Sequence, residues 1–191
     1  MKILCACEES QRVCVAFREK GHEAYSCDIQ ECSGGYPEWH IQDDVVKLLH
    51  LNWDMIIAFP PCTYITRAGA QLMFPKGVLN EERFEKQKAA VEFFYKIWNA
   101  PAAKICIENP VPMHCANLPK ESCRIDPWEF GEPYKKRTYL WLKNLPVLLP
   151  TEIVIPKKSW VSGTKGGYKG SSKERSKTFC GIAKAMAFQW S

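Results

Sequence analysis

Short apolar runs separated by helix-patterned stretches constrain this chain more than any other feature. Lys2–Cys7, Glu23–Cys27, Asp54–Ala58 and Lys104–Ile107 each have the length and composition of a buried strand. Between them, Ser10–Lys20 places Val13 and Phe17 on one helical face and stops at Gly21. Val45–Leu49 reads as a short helix, and residues 81–99, with Phe84, Phe94 and Trp98 among Glu and Lys, as the longest one. This alternation predicts an α/β fold with a doubly wound, mostly parallel, Rossmann-like sheet and right-handed crossovers. In such sheets, ligands bind at the carboxyl ends of the strands.

One strand ends abruptly. Met55-Ile56-Ile57-Ala58 runs into Phe59-Pro60-Pro61-Cys62, and neither proline has an N–H to donate, so the ladder must stop there. Cys62 therefore sits on a stiff turn at a strand's carboxyl end. Glu8, Asp28, Asp44 and Glu108 occupy the other expected strand ends or adjoining turns. Tyr139–Leu142 reads as a further strand, and a basic loop rich in Gly, Lys and Ser (162–172) leads to a C-terminal helix at about 173–190.

The chain has 191 residues, which predicts one domain spanning 1–191 rather than two. Hydrophobic residues make up 46% and charged residues 25%, the balance of a soluble globular protein. Met1–Cys5 meets Glu8 and Glu9 too soon for a signal peptide or membrane span, so a cytoplasmic protein with no membrane partner is expected. Ten cysteines in such a chain are expected to be reduced, and their spacings form no recognisable zinc set. The net charge of +5 is concentrated late, in Lys135-Lys136-Arg137, Lys157-Lys158 and the cations from Lys165 to Lys177. That distribution suits phosphate contact, and equally a solvated surface.

A carboxylate ending the second strand commonly accepts hydrogen bonds from ribose hydroxyls, which fits Asp28; Asp44 can accept from an adenine amino group. Both acids also make good caps. A thiolate from Cys62 is a strong nucleophile, and a carboxylic acid at Glu108 can protonate a ring nitrogen as that nucleophile adds to the ring. The plain alternative for Cys62 is a small buried hydrophobe in a turn.

"FPPCTYIT" resembles the Pro-Cys nucleophile loop of the DNA cytosine carbon-5 methyltransferases, "CIENP" resembles their Glu-Asn motif and "KKRTYLWL" their arginine-bearing strand. "SCDI", "HIQDDVVKLL" and "ERSKTFCGIAKAMA" fall where that family places its ribose-binding, adenine-binding and C-terminal helix motifs. The likeness covers almost the whole chain and is similar in extent to small phage and prophage methyltransferase-like proteins. It implies a methyltransferase fold, with Cys62 as nucleophile, Glu108 on the pyrimidine edge and Arg137 holding the base or its phosphate. It also implies S-adenosylmethionine as methyl donor, its ribose at Asp28 and its adenine at Asp44, with Phe59 and Pro60 lining the pocket.

Two departures shape the expectation. The family's first loop is Gly-rich, whereas here it reads Cys7-Glu8-Glu9-Ser10-Gln11, leaving Glu8 and Ser10 to offer side-chain hydrogen bonds. Glu8 alternatively favours the N-terminus of the following helix. The roughly 30 residues between the Arg137 strand and the last helix leave no room for a separate target-recognition domain. The implied partner is DNA or another nucleic acid whose base is flipped out or already single-stranded, or a nucleotide. Two other readings remain: a different nucleobase- or nucleotide-modifying enzyme on the same fold, and a non-catalytic phage protein that binds nucleotides or nucleic acid to antagonise host defence.

Overall fold

The computed structural model describes residues 1–160 and 171–191, so most of the expected basic loop at 162–172 lies outside the described residues. Nine strands are described: β1 (Lys2–Ala6), β2 (Glu23–Asp28), β3 (His40–Gln42), β4 (Met55–Ala58), β5 (Lys104–Pro110), β6 (Cys123–Ile125), β7 (Tyr134–Lys135), β8 (Thr138–Lys143) and β9 (Lys158–Ser159). The helices are α1 (Arg12–Arg18), α2 (Ala70–Met73), α3 (Glu81–Trp98), α4 (Ser172–Ser176) and α5 (Cys180–Gln189), joined by several single 3-10 turns.

Seven strands form one sheet in the order β3-β2-β1-β4-β5-β8-β6, and β7 pairs with β9 in a small second sheet. The pairings from β3 through β5 are all parallel, and β8 lies antiparallel between β5 and β6. The expected α/β, mostly parallel Rossmann-like sheet is therefore the observed one.

Side chains alternate across this sheet with the period of two that strands impose. Ile3, Cys5, Met55, Ile57 and Cys106 pack into a core with α1 and α5. Leu4, Ala6, Ile56, Ala58, Ile105 and Ile107 pack on the opposite face, with Phe94 and Ile97 of α3. Because both faces are covered, the central strands read as continuous apolar runs, the pattern typical of parallel sheets. Close approach also seats α5: a Cβ placed at Gly181 would stand 1.8 Å from the Phe130 carbonyl oxygen, so no side chain fits there.

Local boundaries differ from the sequence reading for identifiable reasons. Helix α1 begins at Arg12 because Gln11 takes a left-handed conformation, φ 58°. The expected helix at Val45–Leu49 is one 3-10 turn, Val45–Lys47, in which the Asp44 side chain caps the Val46 amide. The C-terminal helix is broken into α4 and α5, because Lys177 turns extended and carries Phe179 inward against the rings of Tyr134 and Trp160. Strand β5 continues past Glu108 to Pro110, since β8 supplies a partner for each residue there.

Helix α1 lacks a capping side chain at Gln11, and Glu8 fills that role from one turn earlier. Its carboxylate accepts the amides of Val13 at 2.6 Å and Cys14 at 3.1 Å, two of the donors that a helix N-terminus leaves without intrahelical partners. Burial outweighs these bonds and pushes the Glu8 carboxyl up to about 7. Between an ordinary value of 4.5 and this one, the unfolded chain ionises Glu8 while the folded chain keeps its proton, so stability falls as pH rises through that window. The full loss, on the order of 3 kcal/mol, is in place above about pH 7. Urea unfolding of wild type and Glu8→Gln at pH 4.5 and 7.5 should show the wild type losing that much relative to the variant on going up in pH; equal differences at both pH values would contradict it.

Candidate functional site

The carboxyl ends of β1, β2, β4 and β5 open onto one cavity of about 450 Å³, within the usual range for small-molecule sites. Glu8, Ser10, Asp28, Phe59, Pro60, Cys62 and Glu108 all line it. Residues expected at separate strand ends thus converge on a single space.

The Pro60-Pro61 turn places Cys62. Phe59 makes the last ladder bond of this segment, its N–H reaching the Ala6 carbonyl at 2.9 Å, and the prolines then carry the chain off the sheet. The Cys62 carbonyl accepts the amides of Ile65 at 3.0 Å and Thr66 at 2.9 Å, which pins the turn on its far side. From β5, the Asn109 amide donates to the Pro60 carbonyl at 3.4 Å and ties the two strand ends together. Glu108 follows Cys106 by two residues and so emerges on the same sheet face, the one packed by α1 and α5.

Both reactive groups are held toward their neutral forms. Burial raises the Cys62 thiol above its usual value, the Glu108 carboxylate raises it further, and Lys136 opposes the shift. Burial likewise raises Glu108, against the opposing pull of Lys136 and a hydrogen bond with Thr138. One cation therefore faces both groups. Lys136 lines the cavity, and its ammonium donates to the Arg175 carbonyl at 3.1 Å.

Two residues of the sequence reading lie outside this lining. The Arg137 guanidinium is bonded to buried Asp126, Nε to Oδ2 at 2.5 Å, and Lys136 occupies the place beside Glu108. Asp44 spends Oδ1 on the Val46 amide at 3.0 Å. Both are caps or struts here. The charge run Lys135–Arg137 signals a cation at the site but not which one, because neighbouring residues in extended backbone point to opposite sides.

Glu9 is the acid that sequence reasoning passed over. It lines the cavity, is 8% exposed, and its Oε1 is buried with no hydrogen-bond partner among the described residues. Its Oε2 accepts from the Ser33 hydroxyl and lies 4.0 Å from the Lys173 ammonium. Glu8, by contrast, has both oxygens engaged by α1. A buried acceptor without a partner is costly, and a ligand donor in the cavity would relieve it. Asp28 faces the same space, with Oδ1 holding the Gln30 amide at 2.9 Å.

The first loop meets its geometry without glycine. Cys7 and Gln11 both adopt φ 58°, the left-handed region that glycine enters without strain, so the backbone makes a tight turn with side chains still attached. An adenosyl cofactor bearing an ammonium and ribose hydroxyls suits this donor-seeking set: Glu9, Asp28 and the apolar wall of Phe59 and Pro60. Among the described residues no group of three or more His, Cys, Asp or Glu could hold a metal ion, and no helix is long and apolar enough to cross a membrane.

No protein-family model matches the chain, and no curated protein matches it. Among solved structures, it is similar to a protein provisionally described as a DNA modification methyltransferase encoded within a prophage (E. coli). The TM-score is 0.51 at 14% identity, and the match covers 80% of this chain. It covers 51% of the other, so this chain spans about half the length of that protein. At this identity the likeness is one of fold.

The electrostatics of the cavity give a measurable consequence. Alkylation of Cys62 by iodoacetamide, followed by peptide mass spectrometry across pH 6.5–10, should show a midpoint above that of an ordinary thiol. Lys136→Met removes the cation and should move the midpoint up, slowing alkylation at pH 8 several-fold; Glu108→Gln removes the repelling carboxylate and should move it down. Midpoints that ignore both substitutions would show that the three groups do not share this space.

Proposed function

We propose that the chain is an S-adenosylmethionine-dependent methyltransferase acting on carbon-5 of cytosine, in DNA or another nucleic acid or nucleotide, through a covalent bond from Cys62. The observation that carries this reading is the convergence of Cys62, Glu108 and Lys136 on one cavity with an unpartnered buried acceptor, Glu9, in its wall. The fold shared with a provisionally described DNA modification methyltransferase agrees with it.

A cytosine ring is too electron-poor at carbon-5 to attack a methyl group unaided. The Cys62 thiolate forms a bond to carbon-6, and the protonated Glu108 gives its proton to ring nitrogen-3 as the electrons shift there. Carbon-5 is thereby made electron-rich. The upward shift that burial gives the Glu108 carboxyl suits this step, because it favours the protonated form that has a proton to give. S-adenosylmethionine, when bound, would supply the methyl group to carbon-5, its sulfur–methyl bond breaking as S-adenosylhomocysteine leaves. The carbon-5 proton then leaves to solvent, the sulfur–carbon-6 bond breaks, and nitrogen-3 returns its proton to Glu108.

Lys136 assists at the start. Its positive charge favours the thiolate over the thiol at Cys62, against a buried environment that disfavours any charge. Glu9 and Asp28 would hold the cofactor's ammonium and ribose, with Ser10, Phe59 and Pro60 completing the wall. Glu8 would act indirectly, by fixing the loop that presents Glu9 and Ser10. Asp44 and Arg137, which stand outside the cavity lining, take no role in this scheme.

Two measurements test the proposal. S-adenosylmethionine at a hundred times its dissociation constant should stabilise the folded chain by about 2.7 kcal/mol, seen as a melting point several degrees higher. Glu9→Gln should remove most of that shift; no shift in wild type would leave a binding protein or a different base-modifying enzyme in its place. An oligonucleotide containing 5-fluorocytosine should trap a covalent adduct, because fluorine cannot leave carbon-5 as a proton does. Cys62→Ser should abolish the adduct, and trapping that survived it would sink the nucleophile assignment.

A further inference from the structure

Lys136 and Arg137 lie between β7 and β8 and belong to neither ladder. Neighbouring side chains in extended backbone point to opposite sides, so a turn of this segment about its own axis would bring Arg137 to the cavity and take Lys136 out of it. No ladder fixes the choice. Side chains supply the hold that strand pairing supplies elsewhere in the sheet.

The Lys136 amide donates to Asp126 Oδ1 at 3.0 Å, and the Lys136 carbonyl accepts the Thr138 hydroxyl at 3.0 Å. Both polar groups of this residue's backbone are thus engaged. The other oxygen, Asp126 Oδ2, accepts Nε of Arg137 at 2.5 Å and holds that guanidinium outside the cavity lining. Asp126 is itself fixed. It follows the edge strand β6, whose Ile125 pairs with Thr138; its amide donates to Glu129 Oε2 at 2.6 Å and its carbonyl accepts the Glu129 amide at 3.0 Å. The residue is 4% exposed, and charge-assisted bonds to a buried carboxylate are short and strong, so the geometry is well determined. At the far end of the lysine, the ammonium donates to the Arg175 carbonyl at 3.1 Å and lies 6.0 Å from the centroid of the Phe179 ring.

We infer that Asp126 is a positioning residue: by accepting the Lys136 amide it turns Lys136 toward Cys62 and Glu108, and by holding Arg137 it keeps the neighbouring cation out. Asp126 does not line the cavity and acts through Lys136 alone. The inference rests on the proposed role of Lys136 beside Cys62 and names the residue that puts it there. It also gives a task to β6, three residues at the sheet edge, which carries Asp126 to this position.

The test separates the amide contact from the ion pair. Asp126→Asn/Arg137→Met and Asp126→Leu/Arg137→Met both remove the charge pair, so neither leaves a buried charge without its partner. Asn keeps an oxygen for the Lys136 amide; Leu, of similar shape, does not. Lys136→Met is then added to each. In the Asn background it should slow iodoacetamide alkylation of Cys62 at pH 8 several-fold, as in wild type, whereas in the Leu background it should change nothing, because Lys136 has already left. The acids Glu8, Glu9, Asp28 and Glu108 and the cations Lys173, Arg175 and Lys177 of the lining are the same in every variant, so the comparison reads Lys136. An equal effect of Lys136→Met in the two backgrounds, or none in either, would overturn the inference. Melting curves report whether the variants fold. If the Leu background does not, hydrogen exchange in the wild type decides: the Lys136 amide should be protected, and exchange at the rate of an open peptide would overturn the assignment. Alkylation involves no methyl transfer, which keeps the two ideas apart. Adduct formation with the 5-fluorocytosine oligonucleotide should slow in the Leu background and not in the Asn background; no adduct in any variant, wild type included, would sink the proposed chemistry and leave the positioning of Lys136 standing.

Discussion

The site depends on a mismatch between two neighbouring strands. β4 stops at Ala58 because two prolines cannot donate to the ladder, while its parallel neighbour β5 runs on to Pro110 because antiparallel β8 pairs with it on the other side. The extra length of β5 carries Glu108 beyond the end of the β4 ladder, into the space vacated by the Pro-Pro turn. Asn109, fully buried, closes the gap by donating to the Pro60 carbonyl. Without that offset, Cys62 and Glu108 would belong to separate surfaces of one sheet edge.

The chemistry follows from what the offset encloses. Burial raises both the Cys62 thiol and the Glu108 carboxyl, and the Glu108 carboxylate raises the thiol further, so both are shifted toward their neutral forms. In the proposed reaction that is unhelpful to the nucleophile and useful to the acid. Lys136 bears on both, since its charge lowers the Cys62 thiol and the Glu108 carboxyl alike. Across the same cavity, Glu9 and Asp28 face a region suited to a cationic, hydroxyl-bearing ligand.

How legible this was depended on the kind of signal. The apolar runs of β1, β2, β4 and β5 declared themselves because strands covered on both faces need no polar alternation. β8 was legible as a strand, but nothing local to Tyr139–Leu142 reveals its antiparallel direction, which the connection through β6 and β7 sets. β6 is three residues long and carries Arg124, so no periodicity could announce it. The split between α4 and α5 was hidden for a similar reason: the sequence there remains compatible with a helix, and only the burial of Phe179 against Tyr134 and Trp160 breaks it.

The amino-acid sequence by itself determined the layered α/β architecture, the place where β4 ends and the placing of a thiol, Cys62, and an acid, Glu108, at strand ends, because each rests on local covalent facts: strand length, missing proline amides, residue type. Only the tertiary structure decided which of two adjacent side chains enters the cavity. It put Lys136 inside and Arg137 on Asp126, and it engaged Glu8 with the amides of α1 while leaving an oxygen of Glu9 without a partner among the described residues. A step of one residue along an extended chain reverses the direction of the side chain, and that direction is set by what packs on either side rather than by the residue's own chemistry.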